Sequence, residues 1–336
     1  MAILLSGAAF AVSALCAGLM GFAIQRGATC TVAAMDEVVR RRGFNRLASM
    51  IEASLWVLGG LLIAQAFDSL GEMPAGYAIT YATVLGGALL GFGAYVNKAC
   101  VFGAIARLGS GEWAYVVTPL GFYVGCVTVA SVFAFPAQQK LAQGSPVLQA
   151  APWLAAAFAA FMIVRLGWGL ATLAAAGESG SLPGRLARSL ATRAWSPHAA
   201  TTVIGITFFV MLLAVGAWAY TDVLAELARG MAGDLVGRTL LLAALFAGAL
   251  LGGCTAGRFR STPISAARLA KCFVGGVLMG WGSLLIPGGN DGLILVGIPL
   301  LWPYAWLAFF TMCVVIGIAL VVERSVVGHG AEQAVQ

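Results

Sequence analysis

Three cysteines lie in similar glycine-rich segments, and each has a basic residue close to it in the chain. Cys30 and Cys100 each follow a Gly-Phe pair by the same spacing, and Cys254 directly follows two glycines. The pairs of cation and thiol are Arg26 with Cys30, Lys98 with Cys100, and Arg258 with Cys254. A buried thiol is polarizable and donates weak hydrogen bonds, and helix N-termini and clustered backbone N–H groups add positive potential. This lining suits a small, soft, divalent anion held by weak, exchangeable contacts.

Polar residues accompany these segments. Gln25 precedes Arg26, Asn97 precedes Lys98, and a fourth glycine-rich segment carries Gly289, Asn290 and Asp291 without a cysteine. A carboxylate on an anion path repels the anion unless it is protonated or paired. Asp291 is therefore a proton or cation coupling site, a partner for neighbouring N–H groups, or an ordinary Asn-Asp-Gly turn residue at the outer mouth. Lys98 and Arg258 either set the field of the path or are plain topological charges.

The remaining cysteines are read as inert core residues: Cys16, Cys126, Cys272 and Cys313. Seven cysteines is an odd number, and no C-x-x-C pair is present. A disulfide framework and a zinc site are therefore not predicted. The sequence also lacks a phosphate-binding G-x-x-x-x-G-K-[ST] segment, and we expect neither a metal nor a cofactor.

Composition places the whole chain in a membrane. Of its 336 residues 61% are apolar, while only 19 are basic and 13 acidic, and the mean hydropathy is +0.94. Soluble domains carry about a quarter charged residues, so these charges could not cover a soluble surface. A soluble enzyme, a nucleic-acid-binding protein and a disordered scaffold are excluded. The meaning of the net charge of +6 then depends on where the basic residues lie along the chain.

Apolar stretches of about 20 residues predict about nine transmembrane helices. They lie near 3–24, 47–67, 77–97, 115–135, 153–174, 201–220, 239–254, 272–287 and 293–322. Fifteen of the 19 basic residues fall after spans 1, 3, 5, 7 and 9. Because basic loops stay in the cytoplasm, the N-terminus is predicted outside and the C-terminus inside. Arg165, within the fifth span, either pairs or faces a cavity, or it snorkels from a span end.

Glycines reveal an internal repeat. Five of them recur later in the chain at one constant offset, so that Gly86, Gly87, Gly91, Gly93 and Gly103 correspond to Gly275, Gly276, Gly280, Gly282 and Gly292. The two segments are five spans apart, and five is odd, so they should run in opposite directions across the membrane. This is the inverted-repeat arrangement of many transporters, in which broken helices meet near the midplane. One transport domain, 1–330, would comprise halves 1–150 and 151–330 and be followed by a short tail, 331–336.

At these motifs the sequence resembles the YeeE/YedE family of bacterial inner-membrane sulfur transporters. The matching elements are Gln25-Arg26-Gly27 to Cys30, Asn97 to Cys100 to Gly103, and Gly252 to Gly257. The resemblance implies an hourglass-shaped, all-α polytopic membrane protein with short re-entrant helices and pseudo-two-fold symmetry. It further implies that central cysteines pass thiosulfate along without a covalent intermediate. Cys30 and Cys100 match two relay positions, and the third corresponds either to Cys254 or to Gly289, where this chain has no thiol.

The predicted function is thus uptake of thiosulfate or a related sulfur anion, by a transporter rather than an enzyme. A cytoplasmic sulfurtransferase partner is implied by the resemblance alone, and no nucleic-acid partner is expected. Two alternatives stay open. One is a membrane thiol-redox or sulfur-transfer protein that uses Cys30 and Cys100, and the other is a soft-metal permease, since thiolates select such ions. The second fits poorly with the surrounding Arg and Lys residues.

Overall fold

The chain folds as a bundle of helices. The computed structural model describes residues 2–71, 73–133, 138–175, 194–230 and 235–333. Apart from a short segment at Asn290–Gly292, the α-helices in these residues, numbered in chain order, are α1 Ala2–Gly27, α2 Thr31–Arg41, α3 Asn45–Ala66, α4 Tyr81–Asn97, α5 Val101–Gly109, α6 Val117–Val132, α7 Pro152–Ala175, α8 Pro197–Val215, α9 Tyr220–Ala228, α10 Leu235–Thr255, α11 Ala266–Leu285 and α12 Pro303–Gln333. Extended pairing among the described residues is limited to a bridge between Tyr77 and Lys140. The predicted all-α polytopic membrane class is confirmed.

The number of spans agrees with the prediction, but one boundary does not. Eight helical segments in the described residues are long and apolar enough to cross a membrane, and α11 with the short segment Asn290–Gly297 makes a ninth, bent by 49°. The sequence predicts that the last span begins at residue 293. It begins at Pro303, because residues 290–297 form the second half of the bent pair, and proline is well suited to the first position of a new helix.

Helices α4 and α11 contact each other through the repeated glycines. A methyl group on Gly93 would lie 2.7 Å from the carbonyl oxygen of Gly275, and one on Gly275 would lie 2.7 Å from that of Gly93. Gly86 and Gly282 make the same reciprocal contact at 2.8 and 2.5 Å. Small residues of this kind let two helix backbones approach closely in a membrane. The earlier glycine of α4, Gly86, contacts the later glycine of α11, Gly282, and the later Gly93 contacts the earlier Gly275. Helices α4 and α11 therefore run antiparallel.

These contacts also obey a two-fold relation. Exchanging each glycine for its counterpart in the repeat turns the Gly86–Gly282 contact into the Gly275–Gly93 contact. A contact that maps onto itself in this way is the mark of an isologous interface. The reciprocity supports the predicted inverted repeat at α4 and α11, while the exact division into two halves stays a prediction.

The chain breaks at matching positions after α4 and α11. Lys98 has φ of 59° and Pro287 has φ of 35°, and the two are separated by the same offset as the repeated glycines. Two residues later, Cys100 and Gly289 have nearly identical extended backbones, with ψ of −177° and 179°, and each directly precedes a new helical segment. At both positions the turn ends one helix and a new helical segment begins after two further residues. The predicted broken helices are therefore present here.

Arg165 is paired rather than snorkelling alone. Its Nε donates a 3.1 Å hydrogen bond to Oε1 of Glu52 on α3. The second oxygen of Glu52 contacts Nδ1 of His198 at the start of α8, and Nε2 of His198 lies 3.0 Å from Oδ1 of Asn45. This polar cluster joins α3, α7 and α8 at one end of the bundle.

Some sequence predictions fall on other parts of the chain. Arg185, Arg188 and Arg193, three of the basic residues that follow the fifth predicted span, lie outside the described residues. The predicted tail 331–336 is partly helical, because α12 extends to Gln333; residues 334–336 lie outside the described part.

Candidate functional site

Cys30 and Cys100 lie together where two helices begin. Each residue directly precedes a helix, α2 or α5, with an extended backbone. The backbone N–H of Thr31 donates to the sulfur of Cys100 at 3.1 Å. A methyl group on Gly103 would lie 2.5 Å from the Cys30 sulfur, so this glycine makes room for the thiol. The positive ends of two helix dipoles thus converge on two uncrosslinked thiols.

Cys30 opens into a cavity of about 580 Å³, which we term the cysteine-side cavity. Its charged lining comprises five cations and three carboxylates: Arg40, Arg46, Lys98, Arg107, Arg258, Asp36, Glu112 and Glu323. Three of the cations are paired within it, Lys98 with Glu323 at 2.8 Å, Arg107 with Glu112 at 3.0 Å and Arg40 with Asp36 at 2.6 Å. The excess of cations makes the cavity attractive to anions. Cys100 is buried behind Cys30.

Gln25 and Arg26 end α1 beside this cavity. The buried amide of Gln25 lines the cavity and donates to Oγ of Ser110 at 3.3 Å. Arg26 is 1% exposed, and its Nη2 donates a 2.8 Å hydrogen bond to Oγ1 of Thr255 on α10. Its guanidinium also lies over the Phe22 ring. Arg26 therefore joins α1 to α10 and leaves a buried positive charge at the end of α1, next to Gln25 on the cavity wall.

Asn97 and Lys98 shape the break before Cys100. The Asn97 amide donates to the Ala99 carbonyl at 2.8 Å, and its oxygen accepts from Thr118 at 3.1 Å. Both ends of this buried side chain are thus engaged within the protein, and the structure gives Asn97 a positioning role. Lys98 lies on the cavity wall, where it pairs with Glu323 and stacks against Tyr95.

Cys254 and Arg258 lie apart from the two thiols. Cys254 is exposed near the end of α10, and it does not line the cysteine-side cavity. The neighbouring Gly253 takes the inward position instead and contacts the backbone of Gly109. Arg258 is exposed but does line the cavity, and among the described residues its side chain has no ion-pair partner. The structure therefore places Arg258, and not Cys254, at the cysteine-side cavity.

Gly289 occupies the place that Cys100 holds in the other half. A methyl group on Gly289 would overlap the hydroxyl of Thr221 at the start of α9. That hydroxyl donates to Oδ1 of Asp291, and the Thr221 N–H donates to Oδ2 at 3.0 Å. Asp291 is only 3% exposed, so it is no turn residue at an open mouth. A hydroxyl and a carboxylate stand in this half where the first half has two thiols.

Asn290 joins the two halves at the centre. Its Oδ1 accepts a 3.3 Å hydrogen bond from the hydroxyl of Thr31, the residue whose N–H contacts Cys100. Asn290 is completely buried, and its Nδ2 has no hydrogen-bond partner among the described residues. A buried N–H donor without a hydrogen-bond partner costs free energy. Such a donor, close to a thiol, is suited to binding an anion.

A second cavity, of about 250 Å³, lies beyond Asp291, and we term it the aspartate-side cavity. Its charged lining residues are Asp222, Glu226 and Arg229, so acidic groups outnumber basic ones. Helix α12 lines it with Tyr304 and lines the cysteine-side cavity with Leu320 and Glu323. At 1.5 Å per residue, Tyr304 and Leu320 are roughly 24 Å apart. Two cavities at opposite ends of one helix, with a tight centre between them, agree with the expected hourglass.

Sequence reasoning missed Thr31, Thr221 and Asp222. The repeat could have pointed to the two threonines, because the spacing between Thr31 and Thr221 along the chain is only one residue longer than the spacing between the repeated glycines.

Burial raises the pKa of Asp222, and the nearby Asp291 adds to the effect. This carboxyl is therefore protonated more readily than an ordinary surface aspartate.

Most of the chain matches a known protein family. The model of a family described as sulphur transport matches residues 26–320. The chain belongs to this sulphur transport family. The match extends from Arg26 to the second half of α12 and so includes both thiols, the bent α11 segment and the residues of both cavities except Gln25 and Glu323. A comparison with curated proteins found no match.

Membership confirms the resemblance to YeeE/YedE transporters. The protein is a sulfur transporter with several membrane-spanning helices, and a sulfur-containing anion is the substrate class that its family implies. A transport family implies a transporter rather than an enzyme.

Proposed function

We propose that the protein carries thiosulfate, or a closely related inorganic sulfur anion, from the aspartate-side to the cysteine-side cavity. The observation that carries this proposal is the pair of thiols at the meeting point of α2 and α5, next to the Thr31 N–H and the unused Asn290 amide. Thiosulfate has a terminal sulfur that accepts weak S–H hydrogen bonds and oxygens that accept stronger N–H bonds. The site offers both kinds of donor.

The balance of charged residues differs between the two ends of the proposed route. The aspartate-side cavity is lined by more acidic than basic groups, whereas the cysteine-side cavity has five cations for three carboxylates. An anion that passes the centre therefore moves toward positive potential. Contacts with Cys100 and then Cys30 are weak enough to be exchanged, which conduction requires. No covalent bond to sulfur is needed in this scheme.

We further propose that the cysteine-side cavity faces the cytoplasm. The basic residues around it are the ones that the positive-inside rule retains there. In this orientation the N-terminus is periplasmic, the C-terminus is cytoplasmic, and the membrane is the bacterial inner membrane. A cytoplasmic sulfurtransferase could then receive the anion at this cavity.

Growth on a defined sulfur source tests the substrate. Bacterial cells that cannot take up thiosulfate should grow on it as sole sulfur source when they produce this protein, and labelled thiosulfate uptake should exceed labelled sulfate uptake. Cells that produce Cys100→Ala in its place should grow much more slowly, because uptake falls about tenfold, while Cys16→Ala, which changes a buried thiol of α1, serves as the matched control. Equal growth with and without the protein would exclude thiosulfate uptake.

A thiol-redox activity is the second candidate, and the closeness of Cys30 and Cys100 favours it. Two neighbouring thiols can form a disulfide when an oxidant is present. Mass spectrometry of protein trapped with an alkylating agent during turnover distinguishes the two. A transporter of the proposed kind keeps both thiols alkylatable, whereas a redox protein accumulates a Cys30–Cys100 disulfide or a persulfide.

A further inference from the structure

The half of the centre without thiols holds a carboxylate on the path of an anion. Asp291 directly follows Asn290, whose amide contacts Thr31 beside Cys100. Its two oxygens accept from the hydroxyl and the N–H of Thr221. Within the described residues no cation forms an ion pair with Asp291. A dianion next to Cys100 and an ionised Asp291 would therefore lie close together in a poorly hydrated region, where like charges repel strongly.

The surroundings of Asp291 allow a proton to reach it. Asp222, one residue after Thr221, lines the aspartate-side cavity, and a methyl group on Gly292 would lie 3.5 Å from its carboxylate. Tyr220 is a further titratable neighbour on α9, and Cys100 at the start of α5 lies beside Thr31, the partner of Asn290. Arg229 and the Glu226–Arg238 pair lie farther along toward the cavity. Asp222 thus places a second carboxyl between the cavity and Asp291, near enough for their charges to interact.

We propose that Asp291 is a proton-binding site that couples anion entry to the entry of one proton. The proposal rests on the proposed transport of a sulfur anion and adds its coupling ion. Protonated Asp291 is neutral and lets the anion reach the Asn290 amide and Cys100. Once the anion has moved to the cysteine side, Asp291 releases its proton to that side and repels a returning anion.

The test uses full-length protein in liposomes that contain a pH-sensitive dye, with labelled thiosulfate outside. Wild type should acidify the lumen in step with label uptake, one proton for each anion. Uptake should rise as the external pH is lowered from 8 to 6. Where the carboxyl is mostly ionised, the protonated fraction changes about tenfold for each pH unit. Thiosulfate remains a dianion over this range, so the rise cannot come from the substrate.

Two substitutions test whether Asp291 is the proton-binding group. Asp291→Asn imitates the protonated form, and its uptake should be independent of pH and free of proton movement. Asp222→Asn removes a neighbouring negative charge, which lowers the proton affinity of Asp291, so half-maximal uptake should move to lower pH. The exposed Asp68→Asn is the matched control and should behave as wild type.

Each outcome decides between the proposals. Label uptake that is independent of pH and unaccompanied by acidification would overturn proton coupling and leave the transport proposal standing. Acidification that persists in Asp291→Asn would overturn Asp291 as the proton site. If Asp291→Asn is inactive because it misfolds, an unshifted pH profile in Asp222→Asn still contradicts the inference. No label uptake by wild type at any pH would overturn the transport proposal itself, together with this one.

Discussion

At the scale of single residues, the proposed transport depends on two thiols held by helix starts. Cys100 receives the Thr31 N–H and is fully buried, whereas Cys30 contacts the cysteine-side cavity. In the proposed transport the anion therefore meets Cys100 and Cys30 in succession. The N–H···S contact uses a lone pair of the Cys100 sulfur and not its S–H, and the Cys30 thiol is the side-chain hydrogen-bond partner of Cys100.

Cys254 provides a residue-scale prediction. Because its side chain is exposed on α10 and Gly253 occupies the inward position, Cys254→Ser should keep labelled thiosulfate uptake within about twofold of wild type, the range that a loss below roughly 0.5 kcal/mol produces. A loss as large as that of Cys100→Ala would show that Cys254 is a relay station after all.

The sequence was sufficient for part of this site. The glycine-rich motifs singled out Cys30, Cys100 and Asn290, because thiols and amides are unusual in an apolar chain. The motifs could not separate Asn97, which serves the local backbone, from Asn290, whose donor is unused. That distinction depends on partners distant in sequence, such as Thr118 and Thr31, and no local pattern contains them.

At the scale of helices, the break before each half-helix defines the centre. Lys98 and Pro287 adopt positive φ at equivalent positions, and Cys100 and Gly289 follow in the same conformation. The repeat of glycines predicted this correspondence. It did not predict that Thr221 fills the space of a side chain at 289, since α9 has a different sequence from α2.

Gly289 and Thr221 should therefore be energetically coupled. Gly289→Ala should lower the free energy of unfolding because the new methyl group overlaps Thr221, and Thr221→Gly in the same chain should relieve that overlap. Overpacking of a buried site costs about 1–3 kcal/mol, so the double-mutant cycle should give a coupling of that size. Thermal denaturation in detergent measures it, and additive effects would argue against the contact.

The cluster around Glu52 gives a second prediction at this scale. Glu52→Gln should leave Arg165 without its charge partner within the bundle. Burying an unpaired charge is costly, but Arg165 is 35% exposed, so solvent reduces the loss to about 1–2 kcal/mol. Asp36→Asn, which breaks a more exposed pair with Arg40, is the control and should change stability by less than about 1 kcal/mol. Equal losses in thermal denaturation would contradict the distinction.

At the scale of the whole molecule, helices related by symmetry present different side chains to the centre. Helices α4 and α11 meet through reciprocal glycine contacts, yet one half of the centre holds thiols and the other a hydroxyl and a carboxylate. The cavities differ in charge in the same sense. A symmetric fold can conduct in either direction, and we attribute the preferred direction to the side chains.

Orientation is predictable from the basic residues, and it can be checked directly. A fluorescent protein fused after Gln336 should fold and fluoresce, and alkaline phosphatase at the same place should be inactive, because the C-terminus is expected in the cytoplasm. Fusions after Asp68, in the connection between α3 and α4, should give the opposite pair of results. The reverse pattern would invert the proposed direction of transport.

The central claim is that the two thiols carry a sulfur anion, and uptake of labelled thiosulfate by purified protein in liposomes tests it most directly. Cys30→Ala and Cys100→Ala should each reduce the initial rate about tenfold, the effect of losing a hydrogen bond worth roughly 1.4 kcal/mol at the barrier. Cys16→Ala should retain the wild-type rate. Wild-type rates in both Cys30→Ala and Cys100→Ala would contradict the account.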